Sequence, residues 1–220
     1  TPRKKITAFL QDKEDRIWFS CSGEGVYCIQ KERIYLINTD DGLSDNNVSC
    51  LHLTDNGDVL AGTDQGINIC RFSKGKKQVT VLGTRQGLPD YIITSIKKAS
   101  GNKYWIGMQD KGFCLLDLNN QSISIPTTTT DWKYGQVNDL LYIHDQLWIA
   151  TQDNGLLKYK VGSGKIQQIP ITLTGSIINE LLNDNQGNTW LVSSIDGLIR
   201  SPGETLKLLP IASAPAFEHI

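Results

Sequence analysis

Five acidic residues recur at one place in the sequence. Glu24, Asp64, Asp110, Asp153 and Asp196 stand one or two residues before Gly25, Gly66, Gly112, Gly155 and Gly197. A ring of carboxylates suits a cation or the hydroxyls of a sugar. The same spacing also suits a structural turn, because Asp bonds its own backbone two residues on. Recurrence in every copy makes the turn the expected role. Aromatic residues outside the repeating positions are the better ligand candidates. The stretch IPTTTTDWKYGQ at 125–136 holds Trp132 and Tyr134, and Tyr91 follows GLPD in the corresponding earlier stretch. Aromatic faces stack on the apolar faces of sugar rings, or else cap a core. Arg85, Lys133, Asp40, Asp41, Asp90 and Asp131 lie nearby in sequence and can hydrogen-bond a glycan. The candidate binding set is Trp132, Tyr134, Tyr91, Arg85 and Asp131.

Catalytic patterns are weak. His52 falls in a predicted strand, His144 in a predicted hairpin turn and His219 near the end of the chain. There is no GxSxG, HExxH or Gly-rich phosphate loop. Asp184-Asn185-Gln186-Gly187-Asn188-Thr189-Trp190 comes close to the Asp-box of sialidases, with one residue too many between Asp and Gly. The six arginines occupy no common repeat position, so the cluster that holds a sialidase substrate is not expected. Cysteines at 21, 28, 50, 70 and 114 show no CxxC spacing. Zinc is therefore not expected, nor is any other metal or cofactor. Four of the five fall in predicted strands and read as buried free thiols; a bridge from Cys21 to a neighbouring unit is the alternative.

The elements that would carry these residues come from an internal repeat. The anchors Trp18, Leu60, Trp105, Trp148 and Trp190 are 42, 45, 43 and 42 residues apart. An apolar residue precedes each: Ile6, Val48, Ile93, Val137 and Ile178, 12 residues earlier in four copies and 11 in one. No stretch keeps helical periodicity; each unit reads as short β-runs broken by Gly, Asn and Asp. Four short strands per unit make a blade of a β-propeller. The expected fold is all-β, with five four-stranded antiparallel blades over about 6–46, 47–91, 92–135, 136–176 and 177–212. The first strand should line a channel, and the Trp should fill the wedge between blades. DNGD at 55–58 and DNQGN at 184–188 read as hairpin turns.

The formal charge of −1, from 22 basic and 23 acidic residues, gives no electrostatic case for nucleic acid or an anionic membrane surface. RKK at 3–5 and KGKK at 74–77 read as solvated ends and loops. No apolar run approaches the roughly 20 residues of a membrane helix. The first residues lack the apolar middle of a signal peptide.

Segments 41–67 and 86–113 resemble the two-component regulator propeller repeat. The matches are Gly42-Leu43-Ser44 and Gly87-Leu88-Pro89 at its opening, and Trp105-Ile106-Gly107, Trp148-Ile149-Ala150-Thr151 and Gly62-Thr63 in the middle. Gly155-Leu156 and Gly197-Leu198 match its end. Leu60 departs from the usual Trp, and the fourth and fifth units lack the opening. The resemblance implies a periplasmic sensor domain of a hybrid histidine kinase, in propellers of about seven blades, detecting polysaccharide fragments. It implies no catalysis in this segment, an oligosaccharide ligand, a homodimer in the parent protein, and membrane attachment through parts outside this chain. A scaffold propeller for protein partners is the alternative, and a propeller lyase or hydrolase a weaker third. In an array that does not close, the strands ITAFLQD and ETLKLLPI are expected to be free edges inviting dimerisation.

Overall fold

A computed structural model describes residues 5–170, 177–202 and 209–210. His219, the tail 211–220, and most of the ETLKLLPI and ITLTGSIINE stretches lie outside them. The strands fall into five four-stranded antiparallel sheets, each in simple chain order. Blade 1 holds β1(Ile6–Gln11), β2(Ile17–Cys21), β3(Gly25–Gln30) and β4(Arg33–Ile37). Blade 2 holds β5(Val48–Leu53), β6(Val59–Thr63), β7(Gly66–Ser73) and β8(Lys76–Leu82). Blade 3 holds β9(Ile93–Lys98), β10(Lys103–Met108), β11(Phe113–Asp117) and β12(Ser122–Ser124). Blade 4 holds β13(Val137–Ile143), β14(Gln146–Thr151), β15(Leu156–Lys160) and β16(Lys165–Ile169). Blade 5 holds β17(Glu180–Asn183), β18(Asn188–Ser193), β19(Gly197–Pro202) and β20(Leu209–Pro210). The fold is an all-β propeller.

The cores lie between blades rather than within them. Trp18 packs with Val59, Ala61, Cys70 and Phe72 of blade 2. Leu60 takes the same place between blades 2 and 3, Trp105 between 3 and 4, and Trp148 between 4 and 5. Trp18 and Leu60 are fully buried and Trp105 and Trp148 are 3% exposed. A blade is a thin sheet with two faces to cover, and only its neighbours can cover them. Truncating such an indole costs about 3–5 kcal/mol.

The hairpin between first and second strands explains the anchor spacing. In blades 1, 2, 3 and 5 the turn closes with the same bond: Asp12 to Arg16, Thr54 to Asp58, Ala99 to Lys103 and Asp184 to Asn188, amide to carbonyl, at 2.9–3.0 Å. Blade 4 uses a tight two-residue turn instead, with His144 and Asp145 both at positive φ (47° and 59°). That removes the twelfth residue. In blades 1 and 2 the repeating glycine has a steric cause. Gly25 and Gly66 have φ of 101° and 114°, and a Cβ there would run into the carbonyls of Ile37 and Leu82 on the fourth strand.

First strands pack in succession, β1 on β5, β5 on β9, β9 on β13 and β13 on β17. Among the described residues β17 has no comparable packing on β1, so the array is open there. β1 and β20 each end their sheets, paired on one side only, and an array open between blades 5 and 1 also exposes a face of each end blade. Phe9 is 80% exposed, Ile34 65% and Leu182 61%.

Candidate functional site

Antiparallel order puts two kinds of connection at one end of every blade: the turn between strands two and three, and the loop leading to the next blade. Hydrogen bonds tie them together. Gly25 N bonds Asn46 O, Asp64 N bonds Asn47 O, Gln109 N bonds Ile92 O and Gln152 N bonds Gln136 O, at 3.0–3.3 Å. All the sequence-predicted ligand residues lie on this loop face.

Its loops are braced. Asn38 and Asp41 form a capping box around the short 3-10 turn Thr39–Asp41, and Gly42 ends it at φ 96°. Thr84–Gln86 keeps half of this brace, Gln86 accepting from Gly83 N at 2.9 Å, and is ended by Gly87 at φ 97°. Leu43 and Leu88, next in the chain, are each 3% exposed. The Gly-Leu opening of the repeat is thus a left-handed stop followed by a core plug.

The candidates separate into two groups. Trp132 donates its indole N–H to Gly135 O at 2.7 Å. Its ring lies over Gly112, where a Cβ would meet it at 2.6 Å, and edge-on to Phe113 at 5.9 Å. Tyr134 stacks edge-on to Trp132 at 5.1 Å. Both rings are half-buried on the core between blades 3 and 4, which is the capping role. By contrast Tyr91 is 56% exposed. Its backbone is fixed by Asp90, which accepts from Tyr91 N and Asp110 N at 2.7 Å each. Arg85 and Asp131 are exposed and have no hydrogen bond or ion pair among the described residues. Asp41 is occupied by Lys77 at 2.8 Å and Asp90 by the backbone.

The recurring acids sit in their expected turns, but in three blades the turn amides are taken by the hydroxyl ending the second strand: Thr63 accepts from Gln65 N, Thr151 from Asn154 N, and Ser193 from Ile195 N and Asp196 N, at 3.0–3.2 Å. Asp196 joins in by accepting from Ser193 Oγ at 3.3 Å. Glu24 accepts from Tyr27 Oη at 2.9 Å. No group of three or more potential ligands is gathered for a metal among the described residues.

A cavity of about 760 Å³ runs along the first strands. The residue after each apolar anchor clasps the next blade there. Thr7 donates to Val48 O at 2.6 Å, Ser49 to Ile93 O, and Asn138 to Ile178 O at 2.9 Å. Thr94 alone in this series is buried at its hydroxyl without a partner. Asp139 joins three blades. It accepts from Ser95 Oγ at 2.7 Å and Leu181 N at 3.0 Å, and pairs with Lys97 at 3.0 Å. The signal was present in the sequence as the polar residue in IT, VS, IT, VN and IN, but those pairs were not singled out.

The remaining reactive groups are packed. His52 lies edge-on to Tyr104 at 5.4 Å, and burial, helped by Lys97 and Lys98, lowers its pKa to about 4. It is neutral near pH 7. All five cysteines are free. Burial raises Cys28 and Cys50 to about 11 and Cys70 and Cys114 to about 12.

No family model and no curated relative matches the chain. Solved structures do. The extracellular domain assigned to the hybrid two-component system BT3049 from B. thetaiotaomicron superposes with a TM-score of 0.79 at 17% identity, over 93% of this chain and 29% of that one. For the corresponding domain of BT4673 from the same organism the values are 0.79 and 15%, over 96% and 31%. Virginiamycin B lyase from Staphylococcus aureus gives 0.70 and 18%, over 93% and 68%. The chain spans about a third of the length of the two extracellular domains. No described helix is long and apolar enough to cross a membrane. In fold, the chain is a β-propeller of the kind found in the extracellular domains of two-component systems.

Proposed function

We propose that this propeller is the periplasmic ligand-sensing part of a two-component signalling protein, that it binds a carbohydrate fragment on its loop face, and that it acts without catalysis. The observation that carries the reading is the superposition of nearly the whole chain on extracellular domains of such systems. The loop face adds to it: an exposed aromatic, and a cation and a carboxylate unpaired among the described residues, on braced loops of a rigid scaffold. Binding transmits a signal only if the ligand prefers one of two arrangements of the parent protein, which the proposal takes to be a homodimer. Calorimetry with a panel of oligosaccharides tests it. The expected result is saturable binding to at least one, weakened at least tenfold by Tyr91→Ala. No binding across the panel would count against the carbohydrate ligand.

Likeness to virginiamycin B lyase favours a second reading, a propeller lyase. It predicts turnover of virginiamycin B; a rate equal to buffer alone rejects it.

A further inference from the structure

Blade 5 shows how this chain satisfies an anchor indole at the hairpin end. The Asp184 carboxylate accepts from Trp190 Nε1 at 2.9 Å and from the Asn188 side-chain amide at 2.7 Å. The amide stands two residues before the Trp and the acid six before it. Blade 1 repeats the acid with Asp12 and has Arg16 at the place of the amide. Blade 4 keeps both donors, Trp148 and the amide of Gln146 two residues earlier, but not the acid. Asp12, Ile143 and Asp184 each follow the first-strand partner of the Trp by two residues. The two-residue turn of blade 4 holds Ile143 in the ladder opposite Gln146, where the longer turns begin with an acid.

Among the described residues neither the Trp148 indole nitrogen nor the Gln146 amide has a hydrogen-bond partner. Trp105, which also lacks a turn acid, has its nitrogen buried. Trp148 and Gln146 instead border a cavity of about 160 Å³ between blades 4 and 5, walled further by Ile143, His144, Asn183 and Thr189. Lys158 Nζ lies 3.7 Å from the centre of the Trp148 ring, so a positive charge stands beside the indole. The acids of the two turns are engaged, Asp145 by Tyr142 Oη at 2.9 Å and Asp184 by its own turn amides.

We propose that this cavity binds a small organic acid, its carboxylate taking the place that Asp184 holds in blade 5 and Asp12 in blade 1. Trp148 Nε1 and Gln146 Nε2 donate to the carboxylate, and Ile143 meets the carbon chain. Trp148 is 3% exposed, so its N–H is largely withdrawn from water and still unpaired, and an ionised acceptor recovers the bond. The volume is below the roughly 300 Å³ at which drug-sized pockets begin, which selects an acid of propionate or lactate size. The site lies at the end opposite the loop face and does not rest on the sensing role.

Nuclear magnetic resonance of the whole chain tests it, reading the indole N–H signals during titration with sodium propionate and sodium lactate. Propionamide and sodium chloride are the controls, and Trp148→Phe identifies the Trp148 signal by its loss. The expected result is a saturable shift of the Trp148 signal with at least one acid and with neither control. Gln146→Leu should weaken that binding about tenfold, and Gln146→Glu, isosteric and acidic, should abolish it. Gln146 is half-buried in a turn, and unchanged signals from the other indoles check that both variants fold. An unmoved Trp148 signal, an equal response to propionamide, or a Gln146→Glu variant that binds like the wild type would overturn the proposal. So would equal movement of every indole signal, which marks a salt effect.

Discussion

The Asp12 carboxylate accepts the indole N–H of Trp18 at 2.7 Å. Six residues separate them, and Asp184 and Trp190 repeat the relationship at 2.9 Å. Asp12 also accepts from Arg16 Nε at 2.5 Å and from the amides of Glu14 and Arg16. One carboxylate thus fixes the hairpin, the guanidinium and the wedge residue together. Asp12→Ala leaves the guanidinium of Arg16, 5% exposed, and the indole without their acceptor. The expected loss is about 3–5 kcal/mol, read as a lower urea midpoint.

Blade 3 has the anchor without the acceptor. Ala99 stands six residues before Trp105, and the Trp105 indole nitrogen is buried with no partner. The turn 99–103 has the same closing bond as 12–16. Ala99→Asp should supply the missing acceptor and raise stability by about 1 kcal/mol. Thermal denaturation checks it, and Ala99→Leu, which adds bulk without an acceptor, should not reproduce the gain.

Acid sensitivity follows from the same pairs. Burial pushes the Asp12 carboxyl up, but Trp18, Arg16 and the two amides outweigh it and hold it below the ordinary value. Asp184 is held low by Trp190 and Asn188. A carboxyl with a depressed folded pKa stabilises above its unfolded value near 4 and loses that contribution as pH falls through the folded one. Stability should be flat near neutrality and drop from about pH 4 downward. Asp12→Asn should flatten that drop, as measured by urea midpoints between about pH 2 and pH 7.

The thiols give an independent check on the interblade cores. Cys28, Cys70 and Cys114 are fully buried and their pKa values are raised by burial to about 11, 12 and 12. At pH 8 they should resist a thiol reagent in the native state. Cys50 is also raised to about 11, but it lines the channel and is half-buried, so it should react ahead of those three. All five should react in denaturant.

Much of the fold was legible because the repeat holds two offsets at once. Trp, apolar anchor and glycine each have a separate steric cause, so chance does not reproduce them together. The site was less legible. Trp132 in a loop looks like a ligand platform in sequence; only the bare Cα of Gly112 beneath its ring marks it as a cap. The recurring acids looked like turn formers, yet the acceptors are Thr63, Thr151 and Ser193 at the strand ends. A hydroxyl and a carboxylate close to each other in sequence compete for the same amide, and position along the strand decides between them. Asp12 was overlooked because its turn, QDKEDRIW, contains four other charges that disguise one buried carboxylate as a solvated run.

Loop-face recognition also separates the two groups of aromatics. Tyr91→Ala should weaken ligand binding and leave the melting temperature nearly unchanged. Trp132→Ala should lower the melting temperature, by the equivalent of about 2–4 kcal/mol, through loss of the cap on Phe113. Calorimetry and thermal scans on both variants read the difference.

The most direct measurement is a hydrogen-exchange footprint with a bound oligosaccharide. The account predicts slowed exchange in the loops at 83–92 and 125–136, with the hairpins at 12–16 and 184–188 on the opposite end unchanged. Slowing at those hairpins instead, or no slowing anywhere at saturating ligand, would contradict it.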